Sequence, residues 1–434
     1  MAATPVNVAV PIVSRRTVLG TLASMLWPSR LLLGQDTGVH MIAVEGEGAK
    51  YWSRWRGPSG QGLVASGRYP DTWSATQNVL WRTAVPGRGN SSPIVWGDRL
   101  FLSTAYDSGR RVSLMAFRRA DGVRLWEAFA PDGRTGSTHF KNGHASATPA
   151  TDGERVYASF GARGLLAVDL NGAIVWQRDI GPMQAYHGTA GSPLLYRDRL
   201  ILYQDQFSDS FIAAFDARTG RTLWKTGRNA SVGWGTPVAV RVDDHDEIIV
   251  NGQNTVYAYD PDTGRELWRC HGSNYEVIPT PVVGHGLVYC SSGRAGPTLA
   301  IRPGGRGDVT RSHLVWTSPR GSPFVPSPIV YGQSFYMVND MASVVTCLDA
   351  VTGQSMWQGR LGVAQREGFS ASPVAVDGKL FFTNDDGETF VLRAGPKFEL
   401  LHVNRIGEST LASPALVDGR WYFRTDRSLL AIGS

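Results

Sequence analysis

The chain is predicted to fold as an all-β, eight-bladed β-propeller of four-stranded antiparallel blades, and three observations predict it. A Ser-Pro or Thr-Pro pair recurs eight times, at Ser92, Thr148, Ser192, Thr236, Thr280, Ser327, Ser372 and Ser413. The intervals are 56, 44, 44, 44, 47, 45 and 41 residues, the size of one four-stranded blade. The composition fits: 50 Gly and 14 Trp among 434 residues, with only 18% charged, mean many tight turns and large apolar side chains to bury.

Each unit repeats one pattern. An apolar strand follows the Pro, as in Pro328-Ile329-Val330-Tyr331. A first strand position tolerates Pro because its missing N–H is not needed there. A Gly or Asp turn comes next, for example Gly97-Asp98 or Asp377-Gly378, and then a second strand such as Leu380-Phe381-Phe382-Thr383. A third strand ends in Asp-x-x-Thr-Gly at Asp216–Gly220, Asp260–Gly264 and Asp349–Gly353. Asp caps the turn backbone and Gly supplies positive φ. A fourth strand carries Trp126, Trp176, Trp224, Trp268, Trp316 or Trp357, expected to fill the wedge between diverging blades. In the seventh unit Leu400 and Leu401 stand near the Trp position.

The last unit stops after three strands. Asn78–Val85 reads as the missing outer strand, with Trp81 in the expected place. Ring closure by this N-terminal strand is therefore expected, since it removes an open sheet edge.

Residues 1–34 read as a signal segment. Ser14-Arg15-Arg16-x-x-Leu19 resembles a twin-arginine export signal, and the apolar run from Val18 to Trp27 is too short to span a bilayer. Cleavage is expected near Gly34 or Ala43, with residues 35–50 as linker and 51–434 as propeller. A periplasmic or otherwise exported monomer without a transmembrane span is expected.

The formal charge of +6 includes three arginines of the leader, Arg15, Arg16 and Arg30, so the mature chain carries about +3. That is no nucleic-acid footprint. Cys270, Cys290 and Cys347 are too few and too widely spaced for a disulfide framework; they read as small buried apolar residues, with one bridge possible. No zinc spacing, haem-attachment motif, phosphate loop or nucleophile elbow occurs.

The repeat resembles the pyrroloquinoline-quinone-like (PQQ-like) propeller family, which includes quinoprotein alcohol dehydrogenases and the propeller subunit of the outer-membrane barrel-assembly machinery. The segments Trp52-Ser53-Arg54-Trp55-Arg56-Gly57-Pro58 and Gly304–Val309 resemble a subgroup of exported, uncharacterised bacterial propellers. The resemblance covers residues 51–434 and implies the fold; activity does not follow from fold.

Loops at one mouth of the channel are the expected binding site. His139, His144 and His187 come from two neighbouring inter-blade loops and are acid–base or metal-ligand candidates, although their spacing is not diagnostic and no metal is assigned. The resemblance casts Trp234, Glu276, Arg294, Arg366, Asn384 and Asp385 as the aromatic floor, base, carboxylate contacts and calcium donors that a bound PQQ requires. Against this, the quinoprotein alcohol dehydrogenases carry two adjacent cysteines beneath the cofactor, and this chain has no Cys-Cys. The expected function is therefore a binding or scaffold protein that takes a small ligand, a peptide or an envelope protein at its polar mouth. A PQQ- and calcium-dependent oxidoreductase is the alternative.

Overall fold

A computed structural model describes residue 1 and residues 38–294, 296–363 and 368–434. The twin-arginine motif and Arg366 lie outside the described residues. Among the described residues, no helix is long and apolar enough to cross a membrane.

Eight antiparallel sheets form the eight blades. Blade 1 uses Ile94–Trp96, Arg99–Tyr106, Arg111–Arg118 and Arg124–Phe129, and the next six follow the same sequential order from inner to outer strand. Blade 8 is composite, as expected. Ala415–Val417, Arg420–Arg424 and Ser428–Ile432 supply three strands, and Val79–Ala84 pairs antiparallel with Ser428–Ile432 as the fourth.

The Trp positions seal the wedges. The indole N–H of Trp81, Trp126, Trp176, Trp224, Trp316 and Trp357 each donates to a backbone carbonyl of the next blade, at Arg119, Leu170, Ala217, Pro261, Ala350 and Gly395. Across the strand from most of them stands a small residue, such as Ala116, Ala214 or Cys347, which makes room for the ring. The turn glycine of the following blade is held by contact as well as by φ. A Cβ on Gly220 would fall 2.7 Å from the Trp176 ring, and one on Gly353 would fall 2.6 Å from Trp316.

Two blades depart from this pattern. Trp268 donates to Glu247 Oε2 of its own blade at 2.8 Å, because the insertion carrying Gly307–Asp308 runs parallel to Trp268 and Arg269. In blade 7 the Trp position belongs to His402, paired with Val391, and not to Leu400 or Leu401; a bulge between Val391 and Leu392 sets that register. His402 Nε2 meets the Asp71 carbonyl. The wedge is filled instead by Trp73, 3% exposed, whose ring lies 5.2 Å from Trp421 and 6.3 Å from Phe381.

The described part of the expected linker, residues 38–50, is built into the propeller. Val39–Met41 pairs antiparallel with Val240–Val242 on the axis side of blade 4. From there the chain crosses the axial channel. Trp52 O accepts Val95 N–H of blade 1, Ser53 O accepts Thr151 N–H of blade 2, and Gly62 O accepts Ala375 N–H of blade 7. Gln61 Oε1 accepts Val283 N–H of blade 5 at 2.6 Å. Inner strands leave one edge open toward the axis, and this segment pairs several of those edges. The Trp52–Pro58 signature is thus a plug, with Trp52 1% exposed. Cys270, Cys290 and Cys347 are buried and unpaired.

Candidate functional site

The hydroxyl of each Ser-Pro or Thr-Pro pair is a ring member. Ser92 N–H donates to Thr148 Oγ1 at 2.9 Å, and Thr148 N–H to Ser192 Oγ at 2.9 Å. Ser192 donates to Thr236 at 3.0 Å, Thr236 to Thr280 at 3.1 Å, and Thr280 to Ser327 at 3.0 Å. Ser327 donates to Ser372 and Ser372 to Ser413, each at 2.9 Å; Ser413 closes the circle on Ser92 at 3.0 Å. A Ser or Thr is required at the start of every inner strand because only a short hydroxyl reaches the preceding blade's N–H while leaving the strand free to begin.

This crown lines one cavity of about 660 Å³. The plug closes it below, where Trp55 forms part of the lining. Its walls carry Asn90, Asn142, His139, His187, Lys141, Arg294, Arg360 and Asp340. The channel mouth predicted from sequence is therefore a blind funnel. Exposed apolar side chains, Met341 and Val363, stand in its lining.

The candidate histidines separate. His139 and His187 meet, with ring centroids 4.5 Å apart, and both line the cavity. Burial and the neighbouring His139 push the His187 pKa down. His144 is not part of the lining; its ring packs so closely on Gly109 that a Cβ there would fall 2.2 Å from it. Among the described residues no cluster of three or more His, Cys, Asp or Glu is disposed to hold a metal ion.

Trp234 lines the cavity beside His187, with ring centroids 5.8 Å apart. Its indole N–H is committed to Gly188 O at 2.8 Å. Glu276 is tied to Arg294 and accepts the Tyr186 hydroxyl at 2.7 Å. Burial pushes the Glu276 carboxyl up, but Arg294 and Tyr186 together hold it below its ordinary value. Glu276 and Arg294 both adopt left-handed backbone, φ 55° and 49°, an arrangement non-glycine residues keep only where surrounding contacts enforce it. Asn384 serves its own turn: its Oδ1 accepts the N–H groups of Asp386 and Glu388.

Asp385 joins a group that the sequence reading did not assemble. Lys141, from the loop between blades 1 and 2, reaches Asp385 of blade 7 at 2.9 Å. Ser370 Oγ donates to the same carboxylate at 3.1 Å. Asp340 of blade 6 is 2% exposed and accepts Phe324 N–H at 2.7 Å. Burial raises its pKa to about 6, and burial raises that of Asp385 as well. Lys141 and Asp340 carry no motif, and the Trp52–Pro58 signature that holds Trp55 gives no sign of a place in this cavity, since the three residues come from distant segments. The one available signal was the hydroxyl at all eight strand starts.

Chemically the funnel is rich in donors. Among the described residues, those cast for a quinone–calcium pair do not fit it: Asn384 is spent on its turn, and Glu276 is held by Arg294 and Tyr186.

A PQQ-like family model described as outer membrane protein assembly factor BamB matches residues 35–204 and 208–432. The chain is 26% identical over 241 residues to the outer membrane protein assembly factor BamB of Bordetella pertussis, covering 43% of this chain and 58% of that one. It is 23% identical over 362 residues to the tetrathionate hydrolase of Acidithiobacillus ferrooxidans, covering 71% of this chain and 65% of that one. The chain thus spans less than two thirds of either relative. A europium-containing methanol dehydrogenase shares the fold, with a TM-score of 0.65 at 12% identity over 87% of this chain and 89% of that one.

Proposed function

The chain belongs to the PQQ-like propeller family whose model is described as outer membrane protein assembly factor BamB, and on that premise we propose that it is an exported binding protein that takes a small molecule in its axial funnel. One observation carries this reading: the plug converts an open channel into a blind cavity of about 660 Å³, the size range of small-ligand pockets. A pure scaffold has no need of a closed floor. The apolar side chains in its lining would shield the ligand from water, and the relatives named as assembly factors support export to the cell envelope.

The test uses the full chain isolated from its own envelope. Native mass spectrometry should show a small molecule at one-to-one stoichiometry, lost when Ala342→Trp occludes the funnel. Absence of any bound small molecule, together with a reproducible crosslinked protein partner, would replace this reading with the scaffold.

A further inference from the structure

The crown's hydroxyls are half used. Each accepts one backbone N–H, and among the described residues none donates its own O–H to a protein acceptor. A hydroxyl carries one donor besides its acceptor lone pairs. Accepting an N–H polarises the oxygen and makes that O–H a stronger donor. Eight such donors therefore surround one cavity, and water or a ligand must supply the acceptors.

The charges behind the cavity share this bias. Arg56 follows Trp55 in the plug, is 2% exposed, and has its guanidinium carbon 5.9 Å from the Trp55 ring centre. Its Nε and Nη1 are buried without a hydrogen-bond partner. Arg424, also 2% exposed, donates to Ser91 Oγ at 2.7 Å, immediately beside crown residue Ser92. Among the described residues neither forms an ion pair, and burial pulls both guanidinium pKa values down to about 9. Near the cavity, Asp385 is paired with Lys141 and Glu276 with Arg294, and among the described lining residues Asp340 is the one acidic group. A buried cation without a counter-charge is costly, and an anion placed in the cavity offsets that cost.

Resting on the reading of the funnel as a small-molecule site, we propose that its ligand is a small oxyanion — free sulfate or phosphate, or a sulfonate or carboxylate terminating a larger molecule — seated on the hydroxyl crown above Trp55.

Calorimetric titration of the full chain, at fixed chloride concentration, tests this with sulfate, phosphate and methanesulfonate against the neutral dimethyl sulfone and glucose. Saturable one-to-one binding of at least one oxyanion is expected. Tighter sulfate or phosphate binding points to a free ion, and tighter methanesulfonate binding to a terminal group. Thr236→Val should weaken binding about tenfold or more, the effect of losing a hydrogen bond to a charged group, and Arg56→Met should weaken it too, by removing the buried positive charge behind the cavity. Thr236→Ser and Arg56→Lys, which keep the donor or the charge, should retain most of it and guard against misfolding of the first pair. Funnel binding of a neutral compound with no oxyanion binding would overturn the oxyanion assignment and leave the binding reading standing. Binding of neither class would overturn both. Oxyanion binding indifferent to all four variants would place the anion elsewhere and overturn the assignment.

Discussion

Ser413 N–H donates to Ser92 Oγ at 3.0 Å, so the last blade is joined to the first by the same bond that joins every other neighbouring pair. The ring thus closes twice: at the outer edge through Val79–Ala84, and at the axis through the crown. Ser92→Ala should leave the buried Ser413 N–H without its acceptor and cost about 1–3 kcal/mol. Urea denaturation measures it. Ser92→Thr retains the oxygen and should cost far less, and equal losses for the two variants would show that the hydroxyl is unimportant.

The outer closure depends on Trp81, which donates to Arg119 O at 3.2 Å and packs near Tyr422. Trp81 is only half-buried, so Trp81→Ala should cost about 2–3 kcal/mol, below the range for a fully buried ring. Deletion of residues 75–86 should open the ring and expose the edge of Ser428–Ile432, seen as a lost cooperative melt and as self-association.

The plug should matter more. Trp52 is 1% exposed, and its carbonyl holds Val95 N–H at 2.8 Å. Trp52→Ala should cost about 3–5 kcal/mol in thermal or denaturant unfolding. A cut at Ala43, one of the two leader cleavage points expected from sequence, would remove the strand Val39–Met41 from blade 4. We propose that processing falls before residue 38. N-terminal sequencing of the exported protein checks this, and a mature N-terminus at residue 43 or 44 would refute it.

Asp340 makes the stability pH-dependent. Its pKa rises in the folded chain from 3.8 to about 6, so folding favours the protonated form. The stability this contributes is present in full below pH 4 and is lost as the pH rises through about 6. A shift of about two units corresponds to roughly 3 kcal/mol. Asp385 and Lys141 face the same group, and Asp385 shifts in the same direction. Asp340→Asn should therefore stabilise the protein above pH 6 and shrink its pH dependence without abolishing it, as denaturation midpoints from pH 4 to 8 would show. An unchanged pH profile would mean that Asp340 ionises normally.

The repeat was legible because blade grammar is local. Turn residues, strand alternation and Trp spacing act within one unit of about 44 residues, and even the composite blade followed from counting strands. Local patterning reached the neighbourhood of the seventh Trp site but not the residue, because the bulge that brings His402 into register depends on pairing with Val391. The site was legible only in part. His139 and His187 were found together, since adjacent inter-blade loops lie side by side in any propeller. His144, one residue type in the same loop, turned toward Gly109 for steric reasons no spacing expresses.

By itself, then, the sequence determined the blade, the number of blades and how the ring closes, all of which rest on contacts between near neighbours along the chain. Only the tertiary structure decided what the axis contains. Trp55 and Arg56 stand in the plug, Lys141 reaches Asp385 across 244 positions of sequence, and eight hydroxyls face one cavity. The physical reason is convergence: every blade sends its first residue to the axis, so the centre of a propeller is built from the parts of the chain that lie farthest apart in sequence.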